Sequence, residues 1–321
     1  MTTHDTPTYR MTRRHALAGL GATISPLLAT GTMPSVTTTA QDATPASPGE
    51  PDSQAINAVQ YQHPEKVYFY LPGMQDETVL AGIHGLDVAT WQAIRSDFET
   101  AVHHTAMELL ADDEVAASVD ALPIEPGSTV VAIGESDTDD LQSWFEILRH
   151  LVTMQRPDDG ITFVNQGISG QNTAQALGQV GAALAADPAW ILCLLGGNDV
   201  LRNGPDAEKT EVSIEEAQRN LAEMRRLAAA ANDPAWVWLT RPPIDEVRAA
   251  AFPGFQMGNI SFRNDDVERI NDFISSQPDP VIDVYAAFGD PSTELLGPDG
   301  VHASLAGQAA IARAVVTGLA E

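Results

Sequence analysis

Asp299 and His302 stand three residues apart in the segment that leads into the last helical run of the chain. In an acid–base pair of this kind, the imidazole accepts a proton from a nucleophile and the carboxylate holds the ring in the required tautomer. The spacing alone is also typical of a surface histidine beside an aspartate that caps a helix. The pair therefore predicts chemistry only if a nucleophile and hydrogen-bond donors occur upstream, at the same place in the fold.

Three further groups of polar and glycine residues each follow a short apolar run. They are Gly134-Glu135-Ser136-Asp137, the segment 165–173 that contains Gly170, and Gly196-Gly197-Asn198-Asp199. A serine hydroxyl becomes a nucleophile when a base removes its proton. A glycine lets the backbone approach a ligand closely, and an asparagine amide donates hydrogen bonds without carrying charge. Taken singly, Ser136 is also typical of a helix cap, and Gly170 and Asn198 are typical of turns.

Apolar strands alternate with amphipathic helices in the second part of the chain. The predicted strands are Thr129–Gly134, Ile161–Gln166, Trp190–Leu195, Ala235–Thr240 and Pro280–Val284. The predicted helices between them are Leu141–Met154, Thr173–Ala186, Ile214–Ala231 and Arg263–Ser276. Such a series of βα units predicts a five-stranded parallel sheet with helices on both faces. The carboxyl ends of parallel strands meet at one edge, so the four polar groups are expected to lie together there.

In order and spacing, the four groups resemble the four sequence blocks of the SGNH (GDSL-type) hydrolase family. The resemblance implies a three-layer α/β/α, flavodoxin-like fold and a serine esterase that works through an acyl-enzyme intermediate. It implies Ser136 as the nucleophile, His302 as the general base and Asp299 as the residue that orients His302. It also implies an oxyanion hole made by the amides of Ser136 and Gly170 and the side chain of Asn198. No metal or other cofactor is implied.

The first block departs from the family pattern, which usually has Gly-Asp-Ser followed by an apolar residue. Glu135 is one methylene longer than aspartate, so its hydrogen bonds to neighbouring loops must differ. Asp137 places a carboxylate beside the nucleophile. Facing the site, it would oppose an oxyanion and raise the pKa of His302, whereas facing outward it would cap a helix. The alternative function is therefore a catalytically impaired protein of the same fold, with a binding or structural role.

The composition argues against several other functions. The 321 residues carry a formal net charge of -27 at pH 7, and the only lysines are Lys66 and Lys209. Such a chain lacks the basic face that nucleic acids require. A flavodoxin-like nucleotide binder is disfavoured because no phosphate-binding loop follows the first strand. The single cysteine, Cys193, leaves no internal disulfide and lies in an apolar run, as a buried structural thiol would.

The first 125 residues lie outside the family resemblance. Arg13-Arg14 precede a weakly apolar run that is too short for a stable membrane span, which predicts a twin-arginine signal and an exported protein. The apolar run Val67–Leu71 predicts one short strand, and the apolar spacing over 87–117 predicts a helix. The expected organisation is a signal peptide at 1–40, a disordered linker at 41–56, a mainly helical extension at 57–125 and the hydrolase-like domain at 126–321.

A loop rich in proline and aromatic residues, 241–262, follows the fourth predicted strand on the side of the polar groups. Within it, Phe252, Phe255 and Met257 are candidates for an acyl or leaving-group pocket. The alternative is that these side chains cover the core or the N-terminal helices. The expected partners are small-molecule, lipid or acylated-carbohydrate esters, and no nucleic acid.

Overall fold

The computed structural model describes residues 52–291 and 294–320 of the chain. The predicted signal peptide at 1–40 and most of the predicted linker at 41–56 lie outside these residues. Helix α1 (Ser53–Tyr61) begins inside the predicted linker, because an aspartate side chain caps its first turn. Regular structure therefore begins a few residues earlier than the polar composition indicates.

A five-stranded parallel sheet forms the centre of the described structure. Its strands are β1 (Thr129–Gly134), β2 (Thr162–Asn165), β3 (Trp190–Leu194), β4 (Ala235–Leu239) and β5 (Val281–Ile282). The spatial order is β2-β1-β3-β4-β5, so the winding direction reverses between β1 and β3. The predicted three-layer, flavodoxin-like fold is confirmed, and each observed strand falls within one predicted strand.

Helices cover both faces of the sheet. One face packs against α4 (Val88–Leu110), α5 (Asp113–Ala121), α7 (Trp144–Gln155), α13 (Val284–Phe288) and α14 (Leu305–Ala320). The other packs against α8 (Thr173–Ala185), α9 (Ile214–Ala231), α10 (Glu246–Ala251) and α12 (Asn264–Ser275). The remaining helices are α2 (Pro64–Val67), α3 (Glu77–Ile83), α6 (Ser136–Asp139) and α11 (Pro253–Gly258). Within the described ranges, no helix combines the length and apolar character that crossing a bilayer requires.

Successive residues of a strand face opposite helical layers, which explains why the strands are almost continuously apolar. In β3, Leu192 and Leu194 pack into one layer, whereas Ile191 and Cys193 pack into the other. Cys193 is fully buried, and burial raises the pKa of its thiol. The thiol is therefore inert and structural.

The N-terminal helices share the core of the main sheet. Val102 on α4 and Val115 on α5 are fully buried in the same apolar cluster as α7 and α14. The helix predicted over 87–117 is two helices, because Asp112 interrupts the first and caps the second through the Glu114 amide. This extension thus acts as an outer layer over two helices of the hydrolase-like domain.

The prediction of a strand at Val67–Leu71 was wrong. Pro64 instead starts the short helix α2, since proline is favoured in the first turn of a helix. The residues after α2 form turns, and 68% of the surface of Phe69 is exposed. The apolar residues suggested a strand, but no described strand lies alongside to pair with them.

Candidate active site

Ser136 lies at a sharp turn between the end of β1 and the start of α6. Gly134 ends the strand at a place with no room for a side chain, because a Cβ atom there would lie 2.1 Å from Thr138 Oγ1 and 2.8 Å from Leu194 O. The turn holds the partly exposed serine at the carboxyl edge of the sheet. Its amide is the first of a helix, and such amides have no acceptor within the helix.

Ser136, His302 and Asp299 form one hydrogen-bonded series. His302 Nε2 lies 2.9 Å from Ser136 Oγ, and His302 Nδ1 lies 2.6 Å from Asp299 Oδ2. The other carboxylate oxygen of Asp299 accepts the backbone amides of Val301 and His302 at 2.9 and 3.0 Å. Because an ionised carboxylate only accepts, Nδ1 carries the proton, and in the neutral imidazole Nε2 is left to accept the serine proton.

The three predicted oxyanion donors differ in how they are engaged. Gly170 has a φ of 79°, a backbone conformation that favours glycine, and its amide has no acceptor in the part of the chain that the structure describes. Asn198 Nδ2 donates to Glu135 Oε2 at 3.1 Å and to Gln171 O at 3.0 Å. The Ser136 and Gly170 amides are therefore available to a substrate, whereas an oxyanion must compete for the Asn198 amide.

Two buried carboxylates hold the loop that carries Asn198. Glu135 accepts the backbone amides of Gly197 and Asn198 at 2.8 and 3.2 Å. Asp199 accepts the amide and hydroxyl of Thr173 at 2.9 and 2.5 Å, and burial raises its pKa to about 6. The longer side chain of Glu135 thus ties the end of β1 to the loop after β3.

Asp137 faces the protein interior and not solvent. Only 1% of its surface is exposed. One carboxylate oxygen accepts the amide of Ala303, next to His302, at 3.0 Å, and the other accepts from Arg241 Nη2 at 2.9 Å. The sequence left the direction of this side chain open, and its contacts show that it supports the backbone beside His302.

Arg241 is a site residue that the sequence analysis missed. It lies two residues after the end of β4 and is buried. Its Nη1 lies 2.9 Å from Glu135 Oε1, in an ion pair that lacks hydrogen-bond geometry. Burial lowers the pKa of Arg241, but Glu135 and Asp137 outweigh burial and raise it. The sequence did contain a signal for Arg241. The chain has few basic residues, and this one follows a predicted strand at the sheet edge where the acidic residues of the first block are expected.

The carboxylates around His302 set its pKa. Burial lowers the pKa of the imidazole, but the hydrogen bond and charge of Asp299, with the charges of Asp137 and Asp140, outweigh burial and raise it to about 9. Burial raises the pKa of Asp299, but the hydrogen bond and charge of His302 hold it below the usual value. Asp299 therefore stays ionised, and the neutral form of His302 grows as the pH rises.

Asp139 is a buried junction between the N-terminal segment and the loop of Gly170. Its carboxylate lies 2.6 Å from Lys66 Nζ and 2.7 Å from His63 Nδ1, and it accepts the Ser169 amide at 2.7 Å. Lys66 also donates to Gly167 O at 3.0 Å. Burial raises the pKa of Asp139, but the hydrogen bonds and charges of His63 and Lys66 outweigh burial and lower it. The carboxylate therefore stays ionised. Lys66 therefore joins the turn after Ser136 to the loop that contains Gly170.

Of the three pocket candidates, the two phenylalanines pack against aromatic neighbours, whereas Met257 faces solvent. The rings of Phe252 and Phe255 lie 5.1 Å apart, and Phe255 also contacts Phe262 at 5.3 Å between ring centres. Met257 has 81% of its surface exposed. These contacts agree with the alternative that the aromatic residues cover the core, and the acyl pocket stays a prediction.

A serine, a histidine and an aspartate form a hydrogen-bonded series beside free backbone amides at the carboxyl edge of an α/β/α sheet. This arrangement contains the groups that nucleophilic acyl transfer requires. The model of the GDSL-like lipase/acylhydrolase family matches residues 128–310. The chain therefore belongs to this family, and the resemblance to SGNH (GDSL-type) hydrolases is confirmed. It is an ester hydrolase.

Solved structures with similarity to the chain include two hydrolases. LAE5, an alpha/beta hydrolase enzyme from the metagenome of Lake Arreo, Spain, has a TM-score of 0.48 and 21% identity, covering 61% of this chain and 96% of that chain. Axe2, an acetylxylan esterase from Geobacillus stearothermophilus, has a TM-score of 0.48 and 21% identity, covering 61% of this chain and 95% of that chain. No curated protein matches the chain by sequence. The family membership rests on the family match.

Replacing Asp137 by asparagine should shift the pH dependence of the reaction. The change removes a negative charge that raises the pKa of His302, so this pKa should fall. Since only neutral imidazole accepts the serine proton, kcat/KM rises with pH through this pKa, and the midpoint of the Asp137→Asn profile should lie below that of the wild type. The control is Asp97→Asn, at an exposed carboxylate on α4. An unchanged midpoint, or an equal shift in the control, would contradict this account.

Replacing Lys66 by methionine should slow catalysis more than it weakens substrate binding. The variant keeps the apolar stem but loses the bonds to Asp139 and Gly167, so the loop of Gly170 is held less well. We expect kcat to fall about tenfold, with KM changed by less than about twofold, because the oxyanion donor acts mainly in the transition state. The other lysine, Lys209, is exposed and provides the matched control Lys209→Met. Steady-state kinetics that show the same kcat for both variants would reject the role of Lys66.

Proposed function

We propose that this chain is a secreted serine esterase that hydrolyses carboxylic esters through a covalent acyl-enzyme. The observation that carries the proposal is the continuous hydrogen-bonded series from Ser136 Oγ through His302 to Asp299, with distances of 2.9 and 2.6 Å. The serine supplies the nucleophile, the imidazole moves the proton, and the carboxylate orients the imidazole and stabilises its charged form.

The reaction proceeds in two acyl transfers. His302 Nε2 takes the hydroxyl proton while Ser136 Oγ bonds to the ester carbonyl carbon, and the carbonyl oxygen becomes an oxyanion. The oxyanion collapses, the bond to the leaving alcohol breaks, and His302 returns the proton to that oxygen. A water then attacks the acyl-enzyme with His302 as base, and release of the carboxylic acid restores Ser136.

Stabilisation of the oxyanion falls to the amides of Ser136 and Gly170, with help from Asn198. The free amide of Gly170 and the first amide of α6 both suit a developing negative charge. Asn198 contributes by exchanging its bond to Gln171 O, or to Glu135, for one to the oxyanion. We therefore expect the two backbone amides to carry most of this effect.

The alternative of an impaired enzyme was based on Glu135 and Asp137. Both carboxylates have buried partners, since Glu135 accepts the amides of the Asn198 loop and Asp137 accepts the Ala303 amide. Arg241 offsets part of their combined charge. These contacts give both unusual carboxylates a structural role, which supports the proposal of an active enzyme.

Hydrolysis of a chromogenic ester series by the wild type and by Ser136→Ala tests the proposal. Loss of the nucleophile should lower kcat/KM about a thousandfold or more, as in other serine hydrolases. Ser276→Ala, at an exposed serine that caps the end of α12, is the control and should retain wild-type rates. Equal activity of the wild type and Ser136→Ala would reject the mechanism, and background rates for every ester in the wild type would favour a binding role.

We also propose export by the twin-arginine pathway. The support is the sequence of residues 13–29, where two arginines precede a weakly apolar run rich in glycine and alanine. Replacing Arg13 and Arg14 together by lysine should keep the protein inside the cell of a bacterial host that has this pathway. Fractionation and immunoblotting give the distribution, and unchanged export of the double variant would count against the proposal.

A further inference from the structure

The last turn of helix α1 lies against the loop that follows the nucleophile. Gln60 Nε2 donates to Asp140 Oδ1 at 2.9 Å, and the amide of Leu141 donates to Gln60 O at 3.2 Å. Two residues beyond α1, His63 is buried against Asp139. The segment from Gln60 to His63 is therefore held in a defined position next to the catalytic serine.

Tyr61 brings this segment into contact with the general base. Its ring centre lies 5.4 Å from that of the His302 imidazole, with 46° between the ring planes. Burial and the nearby charges of Asp140 and Asp137 raise the pKa of Tyr61, so the hydroxyl remains a donor. The ring is held beside the imidazole by this packing and by the hydrogen bonds that anchor the preceding residue, Gln60.

Tyr61 lies on the side of His302 where the alcohol half of an ester substrate must sit. During acyl transfer His302 gives its proton to the oxygen of the leaving alcohol, so the alcohol group must lie against the imidazole. The acyl group, in contrast, stays bonded to Ser136 while its oxygen faces the oxyanion donors. A partly exposed aromatic ring beside His302 is therefore placed to contact the alcohol and not the acyl chain.

We propose that Tyr61, from the N-terminal extension, is a specificity-determining residue that selects the alcohol half of the ester. This inference rests on the proposed ester hydrolysis at Ser136. An aromatic ring interacts favourably with a flat or ring-shaped group through dispersion and face or edge contacts. The residue thus favours esters of ring-containing alcohols over esters of short linear alcohols.

Two acetate esters with different alcohols test the proposal directly. Benzyl acetate and ethyl acetate share the acyl group and release alcohols of similar basicity, so their kcat/KM ratio reports contacts to the alcohol. We expect Tyr61→Ala to lower the benzyl-to-ethyl ratio about fivefold and Tyr61→Phe, which keeps the ring, to retain it. Tyr61→Leu keeps apolar bulk without the ring and should lower the ratio as Tyr61→Ala does. It provides the same test if the alanine variant does not fold.

A second series keeps the alcohol constant and varies the acyl chain. For 4-nitrophenyl acetate, butyrate and octanoate, the relative kcat/KM values of the Tyr61 variants should match those of the wild type. Tyr70→Ala removes an exposed tyrosine of the same extension and should leave both series unchanged. Equal falls for all esters, an unchanged benzyl-to-ethyl ratio, or a changed acyl profile would each overturn the proposal. Ser136→Ala separates the two hypotheses. Retained hydrolysis in Ser136→Ala would reject the proposed mechanism and, with it, the basis for the role of Tyr61. Loss of hydrolysis in Ser136→Ala, together with an unchanged benzyl-to-ethyl ratio in Tyr61→Ala, would reject only the role of Tyr61.

Discussion

The arrangement of the catalytic loops depends on a buried arginine between two carboxylates. Glu135 and Asp137 flank the nucleophile, and both are almost fully buried. A buried charge without a partner is costly, so neither carboxylate could occupy its position unless a cation and hydrogen-bond donors met it there. Arg241 supplies this cation with two nitrogens of one planar group, each 2.9 Å from a different carboxylate. A lysine has a single charged nitrogen and cannot reproduce this fork.

Held by Arg241, the two carboxylates each position a different part of the site. Glu135 fixes the amides of the loop that carries Asn198, whereas Asp137 fixes the amide of Ala303 beside the general base. The loop of Asn198 and the backbone beside His302 are therefore positioned by carboxylates that share one arginine. The unusual first sequence block and the arginine after β4 form a single structural unit.

Local patterns made the sheet predictable, and the family resemblance pointed to Ser136, Asp299 and His302, but neither revealed the groups that support these residues. Buried parallel strands are recognisable as short apolar runs, and their carboxyl ends locate Ser136 and His302 at one edge. The partners of the supporting carboxylates are remote in sequence: Arg241 lies 104 residues from Asp137, and Lys66 lies 101 residues from Gly167. No periodicity links such pairs. The direction of Asp137 was open for the same reason, since inward and outward positions both satisfy the local pattern.

The site is also a junction between distant parts of the polypeptide. The hydrogen bond from Ser136 to His302 joins residues 166 positions apart, and Lys66 adds a third distant segment. Contacts between remote residues form slowly, because the chain loses the entropy of closing a long loop before they stabilise it. Helices such as α9 and α14 depend on local hydrogen bonds and can form before that closure. A partly folded chain can therefore have much of its helix content and no active site, so enzymatic activity would report completed tertiary assembly better than a helical spectrum does.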